Sequence, residues 1–466
     1  MAASSLKFGT SGLRGLVVDL EGQPARRYSA AFIAHLRSTG ALGAGRVLVG
    51  RDLRPSSEAI ARDCLVATAA AGLVPVDCGA VPTPALALQA MATNSAAIMV
   101  TGSHIPADRN GLKFYKPSGE ISKADELGVS AHLSDQPVPD LDCAPGDEAE
   151  ATLSAYRQRF DGLLPEPGLA GLRVGIFEHS TVSRELLAEV LRASGAEVVP
   201  LGRSDVFVPV DTEAFGDAIF AGLPGWVAQH RLDALVSADG DGDRPLMMDE
   251  RGRFVRGDVL GLVAAQVLGA AAVVTPVTSN SAIEGLANGV IRTRVGSPFV
   301  VEGLERAGQG AIGFEANGGT FVGPGIAVSG RPLAPLPTRD AILPLLTMLG
   351  LAVQRGATVG DVVDSLPLRH AKASRLQDVP GERSAAFLGR LQDEPGYAEQ
   401  FFQPHRIVGR VAIDGLQFMT ANDAMVHFRA SGNAPELRCY VESREAGLAE
   451  ELLEWALLAA AREVRG

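Results

Sequence analysis

Short apolar runs alternate along the chain with amphipathic segments rich in Ala and Leu. RVLVG (46–50) precedes a helical pattern that runs from Ser56 to Gly72, the expected N-cap and C-terminal stop. The apolar runs LVPVDCG (73–79) and AAIMV (96–100) follow, with the helical segment PALALQAMATN between them. Strands separated by helices of this length predict βαβ units and a mostly parallel sheet.

The same rhythm restarts twice. LRVGIFEH (172–179) and LDALVSA (232–238) belong to the second block, and AAVVTPV (271–277) and GAIGFEANGG (310–319) to the third. In each block a strand leads into a polar, Gly-containing turn. Open α/β sheets bind ligands at the carboxyl ends of their strands. We therefore expect three similar domains, each supplying one functional loop.

From about residue 370 the pattern changes to alternating short strands and a final amphipathic helix, AGLAEELLEWALLAAAREVRG. The predicted fold class is α/β, with three similar βαβ-type mixed-sheet domains and a C-terminal α+β domain around a central cleft. The expected domain limits are 1–145, 146–252, 253–368 and 369–466.

The net charge of the chain limits the classes of partner that it can bind. A net charge of −12 argues against nucleic acid and anionic membranes as partners, but a few converging arginines can still bind a small anion.

The longest apolar run, Val259–Val274, is shorter than the roughly 20 residues of a membrane span and predicts a buried helix followed by a strand. The start, MAASSLKFGTSG, lacks the apolar core of a signal peptide. A cytoplasmic protein, monomeric or dimeric, is expected, with reduced and mostly buried thiols at Cys64, Cys78, Cys143 and Cys439.

The sharpest chemical signal is SADGDGDRP (237–245), in which Asp239, Asp241 and Asp243 alternate with glycines. Three carboxylates this close repel one another unless a hard cation neutralises them, and oxygen ligands suit Mg²⁺ or Ca²⁺. An EF-hand loop is set aside because Arg244 stands where that loop needs Gly. The alternative is an acidic surface turn, which the preceding buried strand disfavours.

A second signal is VTGSHIPADRNGLKFY (100–115), which places Ser103 in a turn directly after a strand. Alone, this segment is typical of a polar turn. Together with the distant Asp loop, it indicates a hydroxyl held near Mg²⁺, an arrangement suited to phosphoryl transfer. Cations must then hold the transferred group, and the candidates near glycine turns are Arg14, Lys113, Arg244, Arg429 and Arg438.

Two further turns have weaker signals. RASGNAPELR (429–438) combines two arginines with a turn whose N–H groups could form an anion nest, and a solvated surface turn is about equally compatible with it. Glu315 and Asn317 in GFEANGG are spaced to grip adjacent sugar hydroxyls. Taken alone, that pair is better explained as an N-terminal cap.

Six segments in order resemble the α-D-phosphohexomutases, the superfamily of phosphomannomutase, phosphoglucomutase and their relatives. They are FGTSGLRG, GRDLRPSS, TGSHIPADRNGLK, DGDGDR, GFEANGG and RASGNAPELR. The resemblance runs over essentially the whole chain. Within the superfamily, the segments TGSHIP and GFEANGG are most similar to those of a bacterial phosphomannomutase branch. The resemblance implies an isomerase that interconverts mannose 6-phosphate and mannose 1-phosphate, although no residue visibly reads the 2-hydroxyl that distinguishes mannose from glucose.

The resemblance also implies residue roles. Ser103 would rest as a phosphoserine, with Mg²⁺ bound between its phosphate and the three aspartates. It would pass its phosphoryl group to a hexose phosphate, forming a hexose 1,6-bisphosphate. It would then take back the other phosphoryl group of this bisphosphate. His104 and Lys113 would serve proton transfer and charge stabilisation, and Arg14 and Arg244 the moving phosphoryl group. Glu315 and Asn317 would bind ring hydroxyls, and the distal phosphate would lie on Arg429, Ser431, Gly432, Asn433 and Arg438.

The chain departs from the family pattern at several positions. Gly102 and Ile105 stand where many members have Ala and Asn, and Asn317 where Ser is usual. Ser297 and Gly319 stand where histidines are common, which leaves more of the acid–base chemistry to Lys113.

Other functions remain open at this level. A phosphoglucomutase or dual-specificity mutase is the first alternative, and a glucosamine-phosphate mutase is less compatible with the serine loop. A non-catalytic phosphosugar-binding protein is disfavoured by the intact Ser103, Lys113 and Asp loop. A phosphatase is disfavoured because DGDGDRP lacks the Thr that follows an aspartyl nucleophile loop.

Overall fold

The structure is a computed structural model that describes residues 4–9, 12–328, 330–432 and 435–465. Within these ranges four main sheets follow one another along the chain, and helices pack against them. The mixed α/β fold class predicted from the sequence is confirmed. No helix in the described part combines the length and apolarity needed to cross a bilayer.

The first sheet uses residues 7–147. Its elements are β1 (Lys7–Phe8), β2 (Leu13–Leu16), α1 (Val17–Leu20), α2 (Gln23–Ser38), β3 (Arg46–Arg51), α3 (Ser57–Ala70), β4 (Val74–Ala80), α4 (Thr83–Ala92), β5 (Ala96–Val100), β6 (Arg109–Lys116), β7 (Gly119–Glu120), α5 (Lys123–Ala131) and β8 (Gly146–Asp147). The order of the described strands is β1-β2-β6-β5-β3-β4-β8, and β7 pairs with β6. β5 is central and completely buried, so the chain leaves it inside the molecule.

The second sheet begins after the helix α6 (Ala149–Gln158). It consists of β9 (Arg173–His179), α7 (Arg184–Ala193), β10 (Glu197–Arg203), α8 (Leu223–His230), β11 (Ala234–Ala238), β12 (Pro245–Asp249) and β13 (Phe254–Val255). The described strands have the order β10-β9-β11-β12-β13. A 3-10 helix at Ala218–Phe220 precedes α8.

The third sheet follows α9 (Gly257–Val267). Its elements are β14 (Ala272–Pro276), β15 (Val290–Thr293), α10 (Ser297–Ala307), β16 (Ala311–Phe314), β17 (Thr320–Val322), β18 (Ala327–Val328), β19 (Arg331–Pro332), β20 (Leu336–Asp340), α11 (Ile342–Arg355) and α12 (Val359–Asp364). The described strands run β15-β14-β16-β17-β20, and β18 pairs separately with β19. The segment SAIEGLANG contains only a 3-10 helix, Ser281–Gly285.

The fourth sheet is wholly antiparallel. It comprises β21 (His370–Gln377), α13 (Gly381–Asp393), α14 (Tyr397–Phe401), β22 (Ile407–Val411), β23 (Leu416–Thr420), β24 (Met425–Ala430), β25 (Glu436–Ser443) and α15 (Ala446–Arg465). The order of its described strands is β21-β25-β24-β23-β22.

The sheets are more mixed than the alternating pattern of strands and helices predicts. β3, β4 and β5 are parallel, but β5 pairs antiparallel with β6, β11 with β12, and β16 with β17. Each predicted functional loop therefore joins two antiparallel neighbours. Strand pairing carries the first sheet to Asp147 and the second to Val255, slightly past the predicted domain limits at 145 and 252.

The buried apolar residues of the described part form several separate clusters. The most extensive one joins the first three sheets, from Leu48 through Val236 to Leu346. The fourth sheet has its own cluster, which includes Phe418, Phe428 and Leu452. Within the described residues, none of these clusters joins the fourth sheet to the other three. All four cysteines are unpaired, as expected, and only Cys143 is more than slightly exposed.

Candidate functional site

The serine loop begins where buried β5 ends. Ser103 has a φ of 55°, in the left-handed region that non-glycine residues rarely adopt. Its backbone N–H donates to Thr101 Oγ1 at 2.7 Å, and that hydroxyl donates to Asp52 Oδ2 at 2.7 Å. These bonds hold a strained residue in one conformation.

Arg54 supports the rest of this loop from beneath. Its guanidinium donates to the backbone carbonyls of Ser103, Ile105, Pro106 and Arg109, at 2.6–3.2 Å. A Cβ on Gly102 would lie 2.8 Å from Arg54 Cζ. The absence of a side chain at position 102 thus allows the guanidinium to approach the loop.

The Asp loop is the turn between β11 and β12. Asp239, Asp241 and Asp243 are fully buried, and one oxygen from each lies within 4.8 Å of the others. The Ser103 hydroxyl donates to Asp239 Oδ2 at 2.6 Å. The predicted nucleophile and the predicted metal loop, from different sheets, therefore meet at hydrogen-bond distance.

Lys113 on β6 completes the cluster. Its ammonium group donates to Asp241 Oδ2 and to Asp243 Oδ2, at 2.6 Å each. Thr83, at the start of α4, also donates to Asp241 Oδ2, at 2.5 Å. The other oxygens of these two carboxylates, Asp241 Oδ1 and Asp243 Oδ1, are buried without a hydrogen-bond partner. Buried carboxylate oxygens without partners fit a hard divalent cation, so the triad could hold a metal.

The three carboxylates differ in their electrostatics. Burial and repulsion from Asp241 and Asp243 raise the pKa of Asp239 well above its ordinary value. Burial alone would also raise the pKa of Asp241, but Lys113 and the Thr83 hydroxyl bring it below its usual range. A cation bound between the three carboxylates would relieve the repulsion that raises the pKa of Asp239.

His104 and Arg244 lie beside the Ser103 hydroxyl. His104 Nδ1 is 3.3 Å from Ser103 Oγ and accepts a hydrogen bond from Arg244 Nη1 at 3.0 Å, because a guanidinium only donates. Burial and the charges of Arg244 and Arg14 hold the pKa of His104 well below its usual value. Burial, together with Arg244, lowers the pKa of Arg14 to about 10. A neutral imidazole and several cations therefore converge near Ser103.

The third loop joins β16 to β17 and contains Glu315 and Asn317, both buried. Glu315 Oε2 accepts from Arg339 Nε at 2.5 Å. Asn317 Oδ1 accepts from the Gly319 N–H at 3.0 Å, so part of this amide stabilises its own turn. Arg339 Nη1 also lies 3.8 Å from Asp243 Oδ2. This arginine connects the third loop to the Asp loop.

The fourth sheet brings Arg429 and Arg438 opposite each other on neighbouring strands β24 and β25. Arg429 Nε donates to Asp414 Oδ2 at 2.8 Å, and Arg438 lines a cavity of about 450 Å³ together with Glu213 and Ala316. The Ser431 N–H donates to the Glu436 carbonyl, Gly432 is exposed, and Asn433 lies outside the described residues. This cavity borders the third loop but does not include Ser103 among its lining residues.

The direct contacts thus join Ser103, His104, Lys113, Arg244 and the three aspartates, and Arg339 links Glu315 to them. Arg339, Thr83 and the supporting role of Arg54 were not predicted from the sequence. Arg54 lies in GRDLRPSS, which was a usable signal. Arg339 is far from every motif, and only the folded chain brings it to the site.

Comparison with known proteins places these features in a family. Residues 5–137 match the model of phosphoglucomutase/phosphomannomutase, alpha/beta/alpha domain I, and residues 256–369 match domain III of the same family. The chain belongs to the phosphoglucomutase/phosphomannomutase family, and it is an enzyme of the mutase kind.

Individual relatives cover nearly the whole chain. A phosphomannomutase of Sinorhizobium fredii is 46% identical over 97% of this chain and 98% of its own, and one of Salmonella muenchen is 40% identical over 94% and 92%. The crystal structure of a phosphomannomutase-like protein from Thermus thermophilus has the same fold, with a TM-score of 0.79, 24% identity and complete coverage of both chains.

Proposed function

We propose that the chain is a phosphomannomutase that interconverts mannose 6-phosphate and mannose 1-phosphate through a phosphoserine at Ser103 and a hexose 1,6-bisphosphate. The observation that carries this proposal is the contact between the Ser103 hydroxyl and Asp239 inside the Asp triad. The two relatives named phosphomannomutase support mannose as the sugar. A phosphoglucomutase or dual-specificity enzyme is the alternative.

Mg²⁺ is the metal that we propose for the triad. Asp239, Asp241 and Asp243 would hold it together with the phosphate on Ser103. When bound, the ion supplies positive charge that neutralises the phosphoryl oxygens. The unpartnered oxygens of Asp241 and Asp243 support this assignment.

We propose that the chain's own residues carry out two successive phosphoryl transfers. In the first, the bond between phosphorus and Ser103 Oγ breaks, a bond to a sugar hydroxyl oxygen forms, and the proton of the sugar hydroxyl is relayed to Ser103 Oγ, with His104 and Lys113 as the groups proposed for this proton transfer. In the second, the intermediate presents its other phosphoryl group, Ser103 Oγ takes it from the sugar oxygen, and the proton of the Ser103 hydroxyl returns by the same groups to that sugar oxygen. Lys113, Arg14 and Arg244 stabilise the charge on the moving group.

Substrate binding is proposed to use the last two loops. Glu315 and Asn317 bind ring hydroxyls, and Arg429, Ser431, Gly432, Asn433 and Arg438 bind the phosphate that does not react. The pairing of Arg429 with Arg438 across two strands supports a phosphate site there. We further propose that the enzyme acts in the cytoplasm as a monomer or dimer, with a hexose phosphate as its partner.

The proposal is tested by a coupled mutase assay with Mg²⁺ and a trace of hexose 1,6-bisphosphate. Mannose 1-phosphate and glucose 1-phosphate are compared by kcat/KM, and free phosphate is followed in parallel. We expect isomerisation without phosphate release and a preference for mannose. Equal rates would indicate a dual-specificity mutase, and phosphate release without isomerisation would contradict the proposal.

A further inference from the structure

Gly319 and Arg339 compete for the same space. A Cβ built on Gly319 would lie 2.6 Å from Arg339 Cγ, 2.7 Å from Cδ and 2.8 Å from Cβ. These are contacts that no side chain tolerates without displacement of the arginine. Gly319 does not have a positive φ, so the backbone itself accepts other residues. The glycine is therefore required by Arg339 and not by the turn.

The register of the sheet explains how the two positions meet. Gly319 directly precedes β17, whose first residue Thr320 is paired with Asp340 on β20. Asp340 is fixed in turn by the Tyr156 hydroxyl, which donates to its Oδ1 at 2.7 Å. β20 is thus anchored beside the third loop, and Arg339 extends from it across position 319.

The aliphatic part of Arg339 takes this space, and the guanidinium beyond it makes two contacts with the site. Nε donates to Glu315 Oε2 at 2.5 Å, and Nη1 lies 3.8 Å from Asp243 Oδ2. The side chain is only 4% exposed. A buried cation between two carboxylates from different loops fixes their separation, because moving either one would leave a buried charge unpaired.

We propose that Arg339 is a positioning residue that replaces a side chain at position 319 and holds Glu315 in register with the Asp loop. This inference rests on the proposed function, because Glu315 is there the group that binds the sugar ring. Arg339 would set where the ring hydroxyls lie relative to Ser103, while the phosphate sites on other loops remain independent of it.

The first test compares the binding of a sugar phosphate with that of inorganic phosphate. Arg339→Ala frees the Glu315 carboxylate, so calorimetry should show mannose 1-phosphate binding weakened about tenfold or more, as for loss of a charged hydrogen bond. Affinity for inorganic phosphate should change less than about twofold. Arg339→Lys, which keeps the charge, should recover part of the loss. The matched control is Arg306→Ala, which removes an exposed arginine on α10, a helix that packs on the same sheet.

Either of two results in this test would overturn the inference. One is equal weakening of both ligands, which would indicate a general structural role for Arg339. The other is unchanged sugar-phosphate binding. Both measurements are independent of turnover, so an inactive wild-type enzyme would refute the proposed function and still leave this test decisive.

The second test is a double-mutant cycle with Gly319→Ala. In the wild-type background the new methyl group displaces Arg339, and mannose 1-phosphate binding should weaken about as much as in Arg339→Ala. In the Arg339→Ala background the space is free, so the same change should cost less than about twofold. If Gly319→Ala weakened mannose 1-phosphate binding by the same factor with and without Arg339, Arg339 would not act from the space at position 319.

Discussion

Ser103 combines three features that the residues next to it in the sequence do not have together. The residue is fully buried, its φ is positive, and its hydroxyl donates directly to Asp239. Strain of this kind persists where the surroundings over-determine it, and here Thr101 and Arg54 do so. This fixed geometry is consistent with the reaction that we propose at the Ser103 oxygen.

Replacement of this hydroxyl is the direct test at the residue scale. Ser103→Ala should lower kcat by about three orders of magnitude or more, because it removes the oxygen that we propose carries the phosphoryl group. Steady-state kinetics with mannose 1-phosphate measures this. Ser130→Ala, on the exposed face of α5, is the control. Turnover in Ser103→Ala close to that of wild type would exclude the phosphoserine.

The residue types at the site could be predicted from the sequence, but their contacts could not. The spacing of Asp239, Asp241 and Asp243 indicates a metal loop by itself. Nothing in the spacing tells that Lys113 lies between two of these carboxylates, or that Arg339 reaches Glu315. Such contacts depend on how separate sheets pack, and short motifs carry no information about this packing.

At the scale of elements, each of the four loops joins antiparallel neighbouring strands within its sheet. The apolar runs predicted β3, β5 and β9 well, because a buried strand needs a continuous apolar stretch. β4 was predicted as well, although most of its residues are only partly buried. The exposed strand β21 and the helices α13 and α14 were not predicted. β21 is mostly solvent-exposed, so its residues lack the apolar pattern on which such predictions depend.

Packing between α9 and β16 positions the start of the third loop, which joins β16 to β17. A Cβ on Gly261 would lie 2.2 Å from Phe314 Cγ, so Gly261→Ala forces these elements apart. We expect the free energy of unfolding to fall by about 1–3 kcal/mol, as in an overpacked core. Chemical denaturation measures the change.

The matched control for this substitution is Gly389→Ala within α13, where a Cβ would meet no atom within 4 Å. Because Ala is a better helix former than Gly, we expect this variant to be more stable by about 0.5–1 kcal/mol. A loss in the control equal to that of Gly261→Ala would contradict the packing argument.

At the scale of the whole molecule, the first three sheets share a core and the fourth has its own. Polar contacts join the fourth sheet to the third. Asp414 Oδ2 accepts from the Val295 N–H at 3.0 Å and from Arg429, and the Glu442 carboxylate accepts from Ser281. Arg429, which we propose binds phosphate, is thus held by the same carboxylate that contacts the third sheet.

Arg429→Ala tests the contribution of the fourth sheet. Loss of a charge-assisted phosphate contact is worth about 1.5–3 kcal/mol, so the dissociation constant of mannose 1-phosphate should rise about 10- to 100-fold. Calorimetry measures it. Arg444→Ala, at the exposed end of the same sheet, should bind like wild type. Equal affinities in the two variants would place the phosphate site elsewhere.

The central claim is that Ser103 carries the phosphoryl group, and mass spectrometry of the full-length enzyme tests it most directly. The enzyme is incubated with hexose 1,6-bisphosphate and Mg²⁺ and then digested. We predict one added phosphoryl group on the peptide that contains Ser103, and its loss to the sugar when excess mannose 1-phosphate follows. A phosphoryl group on another residue, or an unmodified enzyme that still isomerises the sugar phosphate, would contradict the claim.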